Sequence, residues 1–236
     1  MYNARFNKKG NIKTGASIWT WSKLKGNKPI ETTKHGAIIG TCGKYCAGCE
    51  SACYVNSSYR YPSVKNGHAR NTIAFRTDLD GSFKELCAQI ENAKNKPSII
   101  RINQSGEIET PVELLNWVLT AKKYSSIKFY LYTKNLDAVR MVINTFENGA
   151  TIPGNITILI SVWHEYGVQD FQDLKQYDFI KAFVYDDGYN YTAAGLEIDS
   201  YCMAYDAAGH LDHNITCDKC KKCFNRIHKV IGCYDH

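Results

Sequence analysis

No apolar run in the 236 residues approaches the roughly 18 that a membrane-spanning helix needs. The opening stretch, MYNARFNKKGNIKTG, holds no apolar segment of the kind a secretory signal carries. These absences predict a cytoplasmic protein without a membrane partner. There is no internal repeat and no low-complexity linker, so a repeat array is excluded and organisation must come from the order of strands and helices. A long basic tract is also missing. The formal charge of +6 comes from scattered residues and short pairs such as Lys8-Lys9, Lys122-Lys123 and Lys221-Lys222, which fits weak nucleic-acid affinity, an acidic substrate, or solubility alone.

What is abundant is cysteine. Ten cysteines stand in a chain that is 44% hydrophobic and long enough for one sizeable core. In a reducing compartment close-set thiols read as metal ligands or redox groups, not as disulfides.

The middle of the chain is the most regular part. PSIIRINQSG (97–106) reads as a buried strand. After it, Thr110 as cap, Pro111 at the first helical position and Glu113 form a helix start, with Val112, Leu115, Val118 and Leu119 as its expected apolar stripe. IKFYLYT (127–133) is the next strand, and Asn135 caps a helix whose face is Leu136, Val139, Val142, Ile143 and Phe146. ITILISVW (156–163) and FIKAFVYDD (179–187) are two further strands around a weaker helix near 168–177, and SFKELCAQIENAK (82–94) is a helix preceding them all. Such alternation predicts an α/β fold with a mainly parallel sheet, whose chemistry gathers at the carboxyl ends of the strands.

The cysteines fall into two sets. In TCGKYCAGCESACYV (41–55), Cys42, Cys46 and Cys49 make C-x3-C-x2-C, with Cys53 following. In TCDKCKKCFNRIHKVIGC (216–233), Cys217, Cys220 and Cys223 are followed by Cys233. A mononuclear zinc site takes paired hairpins, whereas three thiols on one tight turn can reach different corners of an iron–sulfur cubane. The N-terminal set is therefore read as a 4Fe-4S loop, with Gly43 and Gly48 allowing the backbone to wrap closely. The C-terminal set is read as a second iron–sulfur centre, with zinc as the alternative. Cys42, Cys49 and Cys53 form a second possible triad, and all four N-terminal thiols together would close the cluster. Cys87 and Cys202 are assigned to the core.

This order of motifs resembles the radical S-adenosylmethionine enzymes, in which a C-x3-C-x2-C loop lies early in a partial (β/α) barrel. Segment 102–111, INQSGEIETP, is similar to that family's Gly-Gly-Glu-Pro strand end, although residues 105–108 read Ser-Gly-Glu-Ile. YLYTKN (130–135) and LISVWHE (159–165) are similar to later strand ends. The resemblance covers roughly residues 38–187 and implies a partial (β/α) barrel over 1–199, with a small cysteine-rich metal-binding extension over 200–236. It implies that Gly106, Glu107 and Ser161 contact S-adenosylmethionine and that the C-terminal cysteines hold an auxiliary cluster. The implied activity is reductive cleavage of the cofactor to a deoxyadenosyl radical that abstracts hydrogen from a substrate, small or macromolecular, with an electron-donor protein as partner. KTGASIWT, the Ala-Cys-Tyr at 52–54 and the closing C-x2-C-x2-C are also similar to an uncharacterised phage-borne family.

A second class of function is a non-catalytic iron–sulfur protein, either an electron carrier or a nucleic-acid-associated factor. Trp19, Trp21, Tyr54, Tyr59, Arg60, Tyr61 and Arg70 interleave rings and charges that could stack bases, though such residues are more often core and rim. Arg101 and Asn103 alternate on a strand expected to be buried, where each needs a partner, either in an ion pair or along the barrel lining. His164 reads as a satisfied polar residue, and Asp186 and Asp187 as a turn.

Overall fold

The computed structural model describes residues 3–10, 14–15, 17–46, 49–50, 53–147, 151–164, 166–204, 210, 212 and 214–234. Seven strands form one sheet: β1 (Ile18–Thr20), β4 (Ile99–Ile102), β5 (Lys128–Thr133), β6 (Ile156–Trp163), β7 (Ile180–Asp186), β9 (Val230–Tyr234) and β8 (Ser200–Tyr201), in that spatial order. Every neighbouring pair is parallel. β2 (Pro29–Thr32) and β3 (Gly36–Ile39) make a separate antiparallel hairpin. From β1 to β7 the strands follow chain order, as in a partial (β/α) barrel, with β9 inserted before β8 at the far edge, and the four central strands lie where the apolar runs predict. β8 and β9, on the far side of the expected boundary at 199, complete the same sheet.

Helices α2 (Pro62–Thr77), α3 (Leu79–Glu91), α4 (Pro111–Lys123), α5 (Leu136–Glu147) and α6 (Val168–Leu174) follow the one-turn helix α1 (Val55–Ser58). Among the described residues none is long and apolar enough to cross a membrane. One sheet face supplies Ile100, Ile102, Phe129, Leu131, Ile158, Ile160, Ala182 and Val184 to the main core, where Leu86, Ile90, Trp117, Val118, Val139 and Val142 meet them from the helices. The alternate residues point the other way, because side chains on a strand alternate with period two. There Ile18, Ile99, Tyr130, Leu159 and Ile231 form a second, smaller cluster, against which Cys217, Cys223 and Phe224 pack. The C-terminal cysteine segment thus covers the sheet face that the helices leave bare.

Two helix starts behave as predicted: Thr110 Oγ1 accepts from Glu113 N at 3.1 Å, and Asn135 Oδ1 accepts from Ala138 N at 3.1 Å. The stripe on α4 is displaced. Val112 and Leu119 are exposed, while Leu114, Trp117, Val118 and Ala121 are buried. The helix is rotated so that buried Glu113 reaches the buried ammonium of Lys23 at 2.7 Å, and an ion pair inside a core dictates helix facing more strongly than a marginal apolar position. Trp19 and Trp21 lie in an aromatic core cluster with Phe6, Phe75 and Trp117. Their rings are not available as a stacking surface.

Candidate functional site

The strand carboxyl ends surround a cavity of about 750 Å³. Its wall takes Arg101 and Asn103 to Glu107 from the end of β4, Tyr132 and Lys134 from β5, Ser161 to Trp163 from β6, and Phe183 and Tyr185 from β7. Cys42, Cys49 and Cys53 face it from the N-terminal loop, and Cys217 and Cys223, with Cys233 on β9, from the C-terminal segment. Two cysteine sets more than 160 residues apart in sequence share one cavity. Cys220 lies on a one-turn helix, α7 (Cys217–Cys220), and is not among the lining residues. The Cys46 side chain lies outside the described residues.

Local contacts explain how the N-terminal loop docks. Thr41 Oγ1 donates to Leu24 O at 2.8 Å and accepts from Glu107 N at 2.9 Å, so the residue before Cys42 is bonded to the end of β4. Gly106 has φ +81°, and a Cβ there would stand 2.6 Å from Thr41 Oγ1. Only glycine allows this backbone and this approach. The Gly26 amide donates to Cys42 Sγ at 3.1 Å, and Lys134 Nζ to Cys49 Sγ at 3.2 Å. Burial opposes charge on Lys134, but the Cys49 sulfur and the Glu107 carboxylate outweigh it and its pKa is raised.

Glu107 is buried and already engaged. Oε1 accepts from Thr133 Oγ1 at 2.6 Å and Ile108 N at 2.8 Å, and Oε2 accepts from Lys134 N at 2.9 Å. It ties the end of β4 to the end of β5. Burial raises its pKa against the pull of these donors. A carboxylate has about four acceptor positions, so one is left over.

On the opposite wall Tyr132 donates to Cys223 Sγ at 3.0 Å, and burial pushes the Cys223 thiol up to about 12 despite that bond. Lys181, fully buried on β7, donates to Lys222 O at 2.5 Å and Asn225 O at 2.7 Å and so pins the cysteine segment to the sheet. Just past β6, His164 Nε2 lies 2.6 Å from Asp187 Oδ2, the satisfied contact expected of it. Asp186 and Asp187 accept from the amides of Gly188 and Tyr189 as turn carboxylates do.

Among the described residues no three His, Cys, Asp or Glu side chains converge on a point where a single ion could sit. The N-terminal set nevertheless fits a larger thiolate-held group: three thiols face one cavity, and an amide and an ammonium are aimed at two of the sulfurs. Such donors stabilise sulfur that carries negative charge. Some wall residues, Cys202 and Tyr132 among them, were not singled out as site residues from the sequence. Cys202 was assigned to the core, and it is buried beside Cys233, yet it also lines the cavity because its amide donates to Gly232 O at 2.7 Å. No local pattern announces that pairing. Lys134, in the strand end YLYTKN (130–135), lines the cavity.

No curated protein and no solved structure matches the chain. The family model described as Gene product 88 matches residues 4–226, in keeping with the likeness to an uncharacterised phage-borne family, and the protein belongs to the Gene product 88 family.

Proposed function

We propose that the cavity is the active site of an iron–sulfur enzyme of the radical S-adenosylmethionine type. The observation that carries this reading is the convergence of Cys42 and Cys49 with Gly106, Glu107 and Ser161 around one cavity at the strand carboxyl ends. In this reading Cys42, Cys46 and Cys49 hold a 4Fe-4S cluster, and the remaining acceptor position of Glu107 takes the cofactor's ammonium. Ser161 on β6 faces its carboxylate and ribose. Such a cluster, once reduced, would supply the electron for reductive cleavage of the cofactor's carbon–sulfur bond. The chain's own part is to place these groups and to keep water from the reacting carbon. Lys134 and the Gly26 amide hold negative charge on the loop sulfurs, and Gly106 lets the loop lie against β4. The C-terminal cysteines hold a second iron–sulfur centre in this reading, with zinc as the competing occupant.

One observation favours a second reading. Cys53 faces the same cavity as Cys42 and Cys49, and a fourth thiolate would close the cluster, leaving an electron carrier or a nucleic-acid-associated phage factor. Anaerobic iron and sulfide analysis, followed by electron paramagnetic resonance of the reduced protein with and without S-adenosylmethionine, separates the two. A changed spectrum on adding the cofactor is expected. An unchanged spectrum at saturation is the result of a closed cluster.

A further inference from the structure

The cavity contains a cation that none of these roles uses. Arg101, on β4, is 7% exposed and lines the cavity wall. Its Nη2 donates to the Tyr54 hydroxyl at 3.4 Å, its guanidinium lies 4.7 Å from the centre of the Tyr132 ring, and its Nε has no partner. Two residues on, Asn103 is 4% exposed and lines the same wall, and neither its Nδ2 nor its Oδ1 has a partner. Its backbone is left-handed, with φ 50°, a conformation asparagine tolerates better than most residues.

Guanidinium keeps its proton at any ordinary pH, so a buried arginine cannot escape the cost of burial by neutralising. Each unpartnered amide atom of a buried asparagine carries its own desolvation cost. Two polar residues with orphaned atoms, one on β4 and one just past its end, both lining the same open volume, are the pattern of a binding surface whose ligand completes the hydrogen bonds once the side chains turn toward it. The planar fork of arginine matches the oxygens of a carboxylate or phosphate. Asn103 adds a donor and an acceptor beside them, as suits an oxyanion next to an amide, amine or hydroxyl.

We infer that Arg101 and Asn103 form an oxyanion-binding subsite, and that the molecule this cavity acts on carries a carboxylate or a phosphate. The inference deepens the radical-enzyme reading and rests on it only for the word substrate, since the subsite itself needs neither cofactor nor turnover.

The test follows the thermal midpoint of the full chain, purified anaerobically without S-adenosylmethionine, as phosphate or acetate replaces chloride at constant ionic strength. A saturable rise is expected with one or both, and the more effective anion separates a phosphate site from a carboxylate site. In Arg101→Gln the rise should vanish while iron content is unchanged. Arg101→Lys, which keeps the charge and loses the fork, should need on the order of thirtyfold more anion. Asn103→Gly keeps the left-handed backbone and should also bind more weakly. If Arg101→Gln does not fold, the lysine and glycine variants decide the matter. The proposal fails if no saturable rise occurs with either anion, if the variants respond as the wild type does, or if Arg101→Gln sheds iron and sulfide, which would make the guanidinium a counter-ion of the metal centre. None of these readouts involves the cofactor, so failure of the radical reading is seen separately.

Discussion

His68, on α2, lies with its Nδ1 3.3 Å from the Tyr59 hydroxyl. Burial and the nearby positive charge of Arg70 pull its pKa down to about 4 from an ordinary 6.5. The folded protein therefore favours neutral imidazole, and between pH 4 and 6.5 the unfolded chain binds the proton more readily. The stability this group contributes is fully present above about 6.5 and is lost as pH falls through about 4. A depression of this size corresponds to about 3 kcal/mol. In urea unfolding of wild type and His68→Asn at pH 7, 5.5 and 4, the wild type should lose about that much more stability than the variant. A difference independent of pH would show that His68 does not titrate in this way. The composition of the chain does not reveal such a residue, because the larger cause of the depression is burial, which the packing on α2 decides.

Elements were legible where their faces are apolar. β4 to β7 and α5 follow their hydrophobic pattern closely, because a strand of a covered parallel sheet is apolar along its length and a helix above it carries one stripe. α2 was not foreseen. Its buried face includes Asn66, Asn71 and Thr72, whose partners are distant: Asn71 Nδ2 donates to Arg5 O and Ser22 O, and Thr72 Oγ1 accepts from Leu24 N. Polar residues that are buried to hold a neighbouring segment leave no stripe to read. β9 was obscured differently, since its Val-Ile-Gly-Cys-Tyr run reads first as the end of a cysteine motif. At this scale the attachment of the C-terminal cysteine segment to β7 is open to test. Lys181→Met removes the donor to Lys222 O and Asn225 O and should cost about 2 kcal/mol, the penalty for leaving buried acceptors unmet. Metal-free protein carrying it should alkylate faster at Cys217 and Cys223, read by mass spectrometry, with Cys87 on α3 unchanged. Equal rates at Cys217 and Cys223 in variant and wild type would show that the segment is held by other contacts.

Across the whole molecule, the parallel strands bring Cys42, Cys49 and Cys53 together with Cys217, Cys223 and Cys233 around one cavity. The cavity between them is therefore a property of topology. In the proposed iron–sulfur reading, variants of the N-terminal thiols test which of them are ligands. With Cys42, Cys46 and Cys49 as ligands, Cys53→Ala should keep the iron of the first cluster and Cys46→Ala should lose it. Loss in Cys53→Ala with retention in Cys46→Ala moves the triad to Cys42, Cys49 and Cys53. Loss in both indicates the closed four-thiolate cluster and an electron-transfer or structural role.

Local pattern was sufficient for the α/β class, the parallel sheet, the helix caps at Thr110 and Asn135 and the two cysteine sets, because each depends on periodicity or spacing within about 20 residues. Resemblance pointed to Gly106 as a cofactor contact, whereas the docking of the cysteine loop on it, the Thr41 hydroxyl against a left-handed glycine, became visible only in the fold. Tertiary structure alone decided that Cys202 stands beside Cys233, that Glu113 turns α4 toward Lys23, and that Arg101 and Asn103 face open volume with hydrogen-bonding atoms unmet. Sequence spacing carries no information about such meetings. They join residues 31 to 90 positions apart or depend on empty space, and only the closing of the chain on itself brings either into being.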